Sequence, residues 1–524
     1  MVFYGIPQMT CPTCDETRFS YLFVVHRLPM ARCRGCGLIV LGILPRAADF
    51  SEFYQTSTPG PSHSYSTDSG TERDASTRHL KALAARGLKS GRVLVVGAPH
   101  REESSKSFCR EAGAAGLAVD FIEYSGARDL PDGTYDAAAM LHCLQTQESP
   151  GTLLEQVHAR LKPDAPLLAT TPDVESWPAK FFGRQWTEWR PENRVYFDRK
   201  TIQLLLLRHG FRNILTRPDR RQYTLQHIYE RASDYPRTMV THTISALHKV
   251  MPPPLRAVRL RMATSGMVVT AVRSEPTARP TCSIVVPAFN ESKSFPVLMD
   301  ALLARSIPGM DREIIIVESN STDGTREIAQ GYATHPEVKV ILEDKPRGKG
   351  HAVRTGFGIA SGEVVLIQDA DLEYDLNDYD SLLAPILSHR ALFVLGARHG
   401  GNWKMRHFTE QKSVSTALNF GHLFFTGVIN VLYRQKMRDP FTMFKVFHRD
   451  CLYGLEFECN RFDFDHELVI KLVRKGYTPL EIPVNYWSRS FRQGKKVRVF
   501  RDPFGWLWID FKLRFQRLIR EDLS

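Results

Sequence analysis

Asp369, Asp371, Glu373 and Asp375 alternate through LIQDADLEYD, the end of an apolar run at residues 366–375. Carboxylates this close raise one another's pKa unless a cation sits among them. A divalent metal is the simplest remedy, and hard oxygen donors suit Mg²⁺ or Mn²⁺. Such an ion would act as a Lewis acid on a phosphoryl oxygen. Two earlier stretches carry a related signature: CSIVVPAFNE ends in Pro287, Asn290 and Glu291, and REIIIVESNSTDGT runs through Glu318 into a polar turn. Apolar runs that feed Ser/Asn/Asp/Gly turns read as buried strands, with a helix predicted after the second. Ligands of an open α/β sheet bind at the carboxyl ends of its strands, so the three acidic clusters are expected to share one crevice.

A second constellation is built from sulfur. Of nine cysteines, Cys11 and Cys14 form one C-x2-C knuckle, and Cys33 and Cys36 form another eighteen residues on. Four thiolates so spaced can surround Zn²⁺ as a tetrahedron. No further polar group stands out as an open position, so this zinc is expected to be structural. Disulfides are not expected in a chain that reads as cytosolic.

The elements that carry these groups follow from composition and punctuation. At 524 residues, 43% hydrophobic and 24% charged, the chain is globular and too long for one ordinary domain. No apolar stretch reaches the roughly 18 residues of a membrane-spanning helix, and the N-terminus lacks a signal-peptide layout. A cytoplasmic location is expected. The formal charge of +12 favours anionic partners. Nucleic acid is not expected among them, because no basic helix with base-reading spacing and no RNP-like aromatic pair is present. A multi-domain α/β chain is predicted: a zinc ribbon over 1–45, a Ser/Thr/Gly/Pro-rich linker over 46–78, a Rossmann-like domain over 79–275 and a final α/β domain over 276–524.

The runs RVLVVG, LAVDFIE, YDAAAML and PLLATTP, with the cysteine knuckles before them and FFGRQWTEWRPENRVYFDRKTIQLLLLRHGF after, resemble class I S-adenosylmethionine-dependent methyltransferases with an N-terminal zinc-binding segment. That family holds its cofactor over a glycine-rich turn after the first strand. Here the turn reads Gly97-Ala98-Pro99-His100, with Val95 in place of an acidic residue. Glu123, at the end of the second strand, is left as a candidate ribose ligand or a plain surface carboxylate. S-adenosylmethionine is not expected to bind, and the domain reads as inactive.

The later segments PAFNE, STDGT, RGKGHAVRTGF, DADLE, LGAR, DPFTMFK, NRFDFDHE and NYWSRSFRQGKK resemble, in that order, family 2 glycosyltransferases of the GT-A fold, of the dolichyl-phosphate mannosyltransferase type. The resemblance implies a metal-dependent inverting transfer from a nucleotide-sugar. By it, Pro287, Glu291 and Glu318 line the base and ribose pocket, and Asp369 and Asp371 are the metal-binding DxD with Glu373 completing the shell. It also puts Lys349 and Arg398 near the diphosphate and Arg489 and Lys495 at the acceptor phosphate. Glu318-Ser319 stands where two aspartates are more usual.

A polyprenyl-phosphate acceptor needs no general base, since its phosphate is ionised near neutral pH. A glycan hydroxyl would need one, and Asp465 or Glu467 is the candidate, with a structural role in the NRF turn equally open. The tail RDPFGWLWIDFKLRFQRLIR interleaves aromatic and basic residues, which suits either a packed terminal helix or peripheral contact with an anionic membrane. Glycan extension, a bifunctional enzyme and a non-catalytic scaffold are the alternative readings.

Overall fold

The computed structural model describes residues 9–43, 69–124, 130–233, 242–243, 246, 249, 251–275, 277, 279–398, 412–487 and 502–519. The chain divides into two compact units, Met1–Pro276 and Thr277–Ser524.

The first unit holds two sheets. Strands β1 (Phe19–Val25), β2 (Leu28–Cys33) and β3 (Ile39–Leu41) form an antiparallel meander, and β3 pairs with β8 (Val195–Tyr196). The second sheet joins β4 (Arg92–Gly97), β5 (Ala118–Glu123), β6 (Ala137–Leu141), β7 (Pro166–Pro172), β9 (Phe211–Thr224) and β10 (Arg259–Arg273) in the order β5-β4-β6-β7-β10-β9. Its first four strands are parallel, and their apolar runs fit a sheet covered on both faces. Helices α1 (Ser69–Ala84) and α2 (Glu102–Ala114) pack there through Leu83 and Phe108. Helix α1 thus starts inside the expected 46–78 linker: its opening SGTERD reads as a connector, but Ala75 and Leu83 give it an apolar face to bury.

The second unit is one seven-stranded sheet of β11 (Thr281–Ala288), β12 (Asp311–Glu318), β13 (Val338–Leu342), β14 (Val364–Ile367), β15 (Phe393–Ala397), β16 (Lys445–His448) and β17 (Leu480–Pro483). Their order is β13-β12-β11-β14-β16-β15-β17, with β13 to β14 parallel. Five helices matter for the site: α3 (Thr325–Gly331), α4 (Lys349–Ile359), α5 (Lys412–Tyr433), α6 (Asp463–Lys475) and α7 (Asp502–Phe515). Successive strands run from β11 to β12 and β13 on one side, whereas β14 is laid on the other. The order reverses between β11 and β14, and a crevice opens at such a point beyond the strand ends.

Candidate active site

Strand β14 ends at Ile367, level with Val285 of β11, so the next residues, Gln368 to Asp371, emerge into this crevice. Asp369 Oδ1 lies 2.5 Å from Lys349 Nζ. Asp371 Oδ1 accepts the Glu373 backbone N–H at 3.2 Å. Glu373 is turned toward the 485–487 segment: its Oε2 accepts from the Tyr486 hydroxyl at 2.9 Å, and its carbonyl accepts from Trp487 N–H at 2.9 Å. Ser294 Oγ donates both to the Ala370 carbonyl and to Glu291 Oε2, tying PAFNE to DADLE. The first two acidic clusters are joined by Asn290, whose N–H reaches Ser321 Oγ and whose side-chain oxygen accepts from Thr322 N–H.

Glu318, at the end of β12, is fully buried and committed to Arg326 Nη1 at 2.9 Å and Ser321 N–H at 2.6 Å. Beside it, Ser319 Oγ donates to Glu343 Oε2 at 2.7 Å, and His351 Nδ1 lies 2.5 Å from Glu343 Oε1. Pro287 sits in β11 level with Val317.

Lys349 opens α4, which abuts the NRF turn closely. Gly348 has φ +107°, and a Cβ on Gly350 would come within 2.9 Å of the Cys459 and Arg461 carbonyls. Helix α6 follows that turn and is buried along most of its length, so each of its polar side chains must find a partner within the protein. Asp465 Oδ1 accepts from Lys445 Nζ at 2.9 Å. Glu467 takes the backbone N–H groups of Glu458 and Cys459 and Lys471 Nζ at 2.6 Å. His466 Nδ1 lies 2.8 Å from Asp510 Oδ1 of α7. Lys475 donates to the carbonyls of Asp450, Cys451 and Tyr453.

The cations of the crevice are held in the same manner. Arg398 grips Asp439 with Nε at 2.9 Å and Nη2 at 2.8 Å, and its guanidinium lies 5.4 Å from the Tyr486 ring centre. Burial pushes the Asp439 carboxyl up, but Arg398 overrides it and holds the acid far below the usual carboxylate range. Burial also works to discharge Lys349; Asp369, Asp465 and Asp371 outweigh it and keep the ammonium above its ordinary pKa. Lys445, with no exposed surface, goes the other way: burial depresses it, Asp465 only partly restores it, and Lys349 and Arg398 add repulsion. The motifs assign no role to Lys445 or Asp439. Their only marks in the sequence are a lysine inside the apolar strand KVFH and an aspartate opening DPF. Arg489 and Lys495 lie outside the described residues.

In the first unit, the four cysteines converge. Cys11 Sγ is 3.6 Å from Cys36 Sγ and Cys14 Sγ is 3.5 Å from Cys33 Sγ, with all four sulfurs within 4.8 Å of one another and buried. A disulfide would need about 2.05 Å. A tetrahedron with Zn–S bonds of about 2.3 Å has edges near 3.8 Å, so the cluster fits zinc. Among the described residues it is the group of three or more potential ligands so gathered; the Asp369, Asp371 and Glu373 oxygens are more widely spread. The glycine-poor turn after β4 leads through a short helical turn, Pro99–Arg101, into α2. Arg101 Nη2 meets Glu188 Oε2 at 2.9 Å there, and Glu123 is exposed.

Comparison with known proteins gives these units relatives. Residues 283–454 match the family model Glycosyl transferase family 2, and residues 70–216 match a Methyltransferase domain model. A dolichyl-phosphate beta-glucosyltransferase of Homo sapiens is 30% identical over 257 residues, covering 45% of this chain and 74% of that protein. The chain belongs to glycosyl transferase family 2.

A dolichol-phosphate mannosyltransferase of Pyrococcus furiosus is 26% identical over 41% of this chain, and the chain spans 58% of that relative's length. Among solved structures, glucosyl-3-phosphoglycerate synthase from Mycobacterium tuberculosis in complex with uridine-diphosphate is similar at 18% identity and TM-score 0.32, covering 45% of this chain and 80% of that one. A mannosyltransferase from Pyrobaculum calidifontis in complex with GDP-Man and Mn2+ is similar at 21% identity and TM-score 0.29, covering 46% and 71%. The family 2 match falls on the strands that build the switch-point crevice. The methyltransferase match covers β4 to β7, so both α/β units have the fold class expected of them.

Proposed function

We propose that the chain is a metal-dependent inverting glycosyltransferase that moves a sugar from a nucleotide-sugar to a polyprenyl-phosphate acceptor. The observation that carries this reading is the pairing of Asp369 with Lys349 at the sheet's switch point, acid and base side by side where a diphosphate and its cation would lie. The donor set of Asp369 and Asp371 is two hard carboxylates, which fits Mg²⁺ or Mn²⁺ only if diphosphate and water oxygens fill the remaining positions. When bound, the ion supplies Lewis-acid neutralisation of the departing diphosphate. Glu373, turned toward Tyr486, orients the 485–487 segment that leads to Arg489 and Lys495. Asp439 immobilises Arg398 at the crevice wall, and Lys445 does the same for Asp465.

The acceptor follows from what the candidate bases are doing. Asp465 is paired with Lys445, and Glu467 is occupied by two backbone N–H groups and Lys471. Neither is poised to take a hydroxyl proton, whereas a phosphate oxygen is already anionic and needs no base. The dolichyl-phosphate relatives support the same class of acceptor. An apolar surface suits it as well. Helix α5 exposes Phe420, Leu423, Phe424 and Val431, and α7 exposes Trp508, Phe511 and Phe515 beside Arg514. The two helices are fastened by Phe425 against Trp506 and by the Tyr433 hydroxyl on the Asp510 carbonyl. No described helix is long and apolar enough to cross a membrane. Exposed aromatic and basic groups on two adjoining helices fit the headgroup layer of an anionic bilayer.

Labelled nucleotide-sugars offered with polyprenyl phosphate should yield a lipid-linked sugar. Arg489→Lys, which loses bidentate phosphate contact, should lower that transfer about tenfold, roughly 1.4 kcal/mol, and leave donor hydrolysis without acceptor nearly unchanged. Transfer to a glycan hydroxyl with none to polyprenyl phosphate would reject the acceptor. We further propose that the methyltransferase-like region binds no S-adenosylmethionine, because Pro99 removes a backbone donor from the turn and Arg101, at its end, is paired with Glu188. Calorimetry should show no saturable heat at micromolar cofactor; micromolar affinity lost in Glu123→Ala would overturn this.

A further inference from the structure

We propose that Lys349 is the resident counterion of Asp369 and makes divalent-metal binding conditional on the nucleotide diphosphate. The inference rests on the reading of Asp369 and Asp371 as the metal-holding pair. Lys349 Nζ stands 2.5 Å from Asp369 Oδ1, in direct ion-pair contact. Its backbone sits at the first residue of α4, just after Gly348, whose φ of +107° and approach to the Asn460 carbonyl leave no room for a side chain. The start of α4 that carries the lysine is thus packed closely against the NRF turn.

Three carboxylates, those of Asp369, Asp465 and Asp371, attract this ammonium. Asp465 is already matched by Lys445 at 2.9 Å, and the carboxylate in direct contact with Lys349 is that of Asp369. A dication approaching Asp369 alone meets an ammonium on the same oxygen, and their repulsion is twice that between two single charges at equal distance. The described carboxylates also do not form a three-ligand cage that could hold the ion unaided. A nucleoside diphosphate changes both conditions at once. Its anionic oxygens give Lys349 a new partner, which frees Asp369, and they supply the missing hard ligands. Metal and diphosphate must then raise each other's affinity by the same factor.

The test reads Mn²⁺ binding to the full chain directly, by loss of the free-ion electron paramagnetic signal, with UDP or GDP absent or present. Parallel titrations without protein correct for Mn²⁺ bound by the nucleotide itself. The wild type should bind Mn²⁺ about tenfold or more tightly when one of these nucleotides is bound. Lys349→Met and Lys349→Gln, both neutral, should bind Mn²⁺ alone about tenfold more tightly than the wild type, and should keep little of the nucleotide-dependent gain. Lys349→Arg, which retains the charge, should keep the wild-type pattern. Melting temperatures confirm that the variants are folded. If both neutral variants bind Mn²⁺ alone no better than the wild type, the counterion role is overturned while the metal site stands. If the wild type binds no Mn²⁺ at this site even with UDP or GDP, the metal reading falls and this inference with it.

Discussion

Replacing Asp371 by alanine should lower sugar transfer by about a hundredfold or more and leave the melting temperature nearly unchanged. The magnitude follows from what the proposed mechanism would lose: one of its two hard-oxygen metal donors, a contribution on the order of 3 kcal/mol. The small effect on stability follows from location. Asp371 is half-buried beyond the end of β14, and its contact with the Glu373 N–H is long at 3.2 Å, so alanine leaves neither a core cavity nor a deeply buried unpaired group. Asp371→Asn keeps the shape and an acceptor oxygen but loses the charge, and it should fall nearly as far. Chelation should abolish turnover and added Mg²⁺ or Mn²⁺ restore it. Undiminished activity in the chelator would remove the metal from the proposed reaction.

The strands of both units were legible because their sequences carry two clear signals, apolar runs and polar punctuation. PLLATTP predicts residues 166–172 and forms β7 over Pro166–Pro172; RVLVVG predicts 92–97 and forms β4. The convergence of PAFNE, STDGT and DADLE was also legible, since it depends only on strand polarity in a parallel sheet. What could not be read is how each charged side chain is spent. Arg398 reads as a free cation near a diphosphate, yet Asp439, forty-one residues on, takes two of its donors. Lys445 reads as the tail of a motif and turns out to be fully buried against Asp465. These pairs join residues twenty to forty-one apart in sequence, the second of them linking a strand to helix α6, and no local periodicity encodes them.

The same limit applies at the N-terminus. Spacing alone places four thiols together, but it makes the ribbon look like a separate module. In the structure β3 is hydrogen-bonded to β8, and Leu28, Met30, Ile39 and Leu41 share a core with Trp186, Trp189 and Tyr196. Arg208 further donates to the Thr13 carbonyl within the Cys11–Cys14 knuckle. The tryptophans of WTEW supply the apolar wall that a ribbon of this size could not build for itself.

That shared core sets the size of the second large effect. Replacing Cys33 and Cys36 together by serine should release one zinc per chain and unfold the ribbon, because metal binding and folding are one equilibrium in so small a unit, worth on the order of 10 kcal/mol. Loss should spread beyond residues 9–43. Trp186 is 2% exposed and Trp189 6%, each packed against the ribbon face, so their fluorescence should shift to the red and the 183–196 segment should become open to proteases. Cys109→Ser, which touches a cysteine outside the cluster, should retain zinc and serves as the control. Sugar transfer should persist in the double variant, since every side chain assigned to it belongs to the second unit. Elemental analysis of protein purified without chelator decides the premise: absence of zinc, with an intact tryptophan spectrum, would mean that the ribbon stands on its shared apolar core and that the four thiols hold no metal.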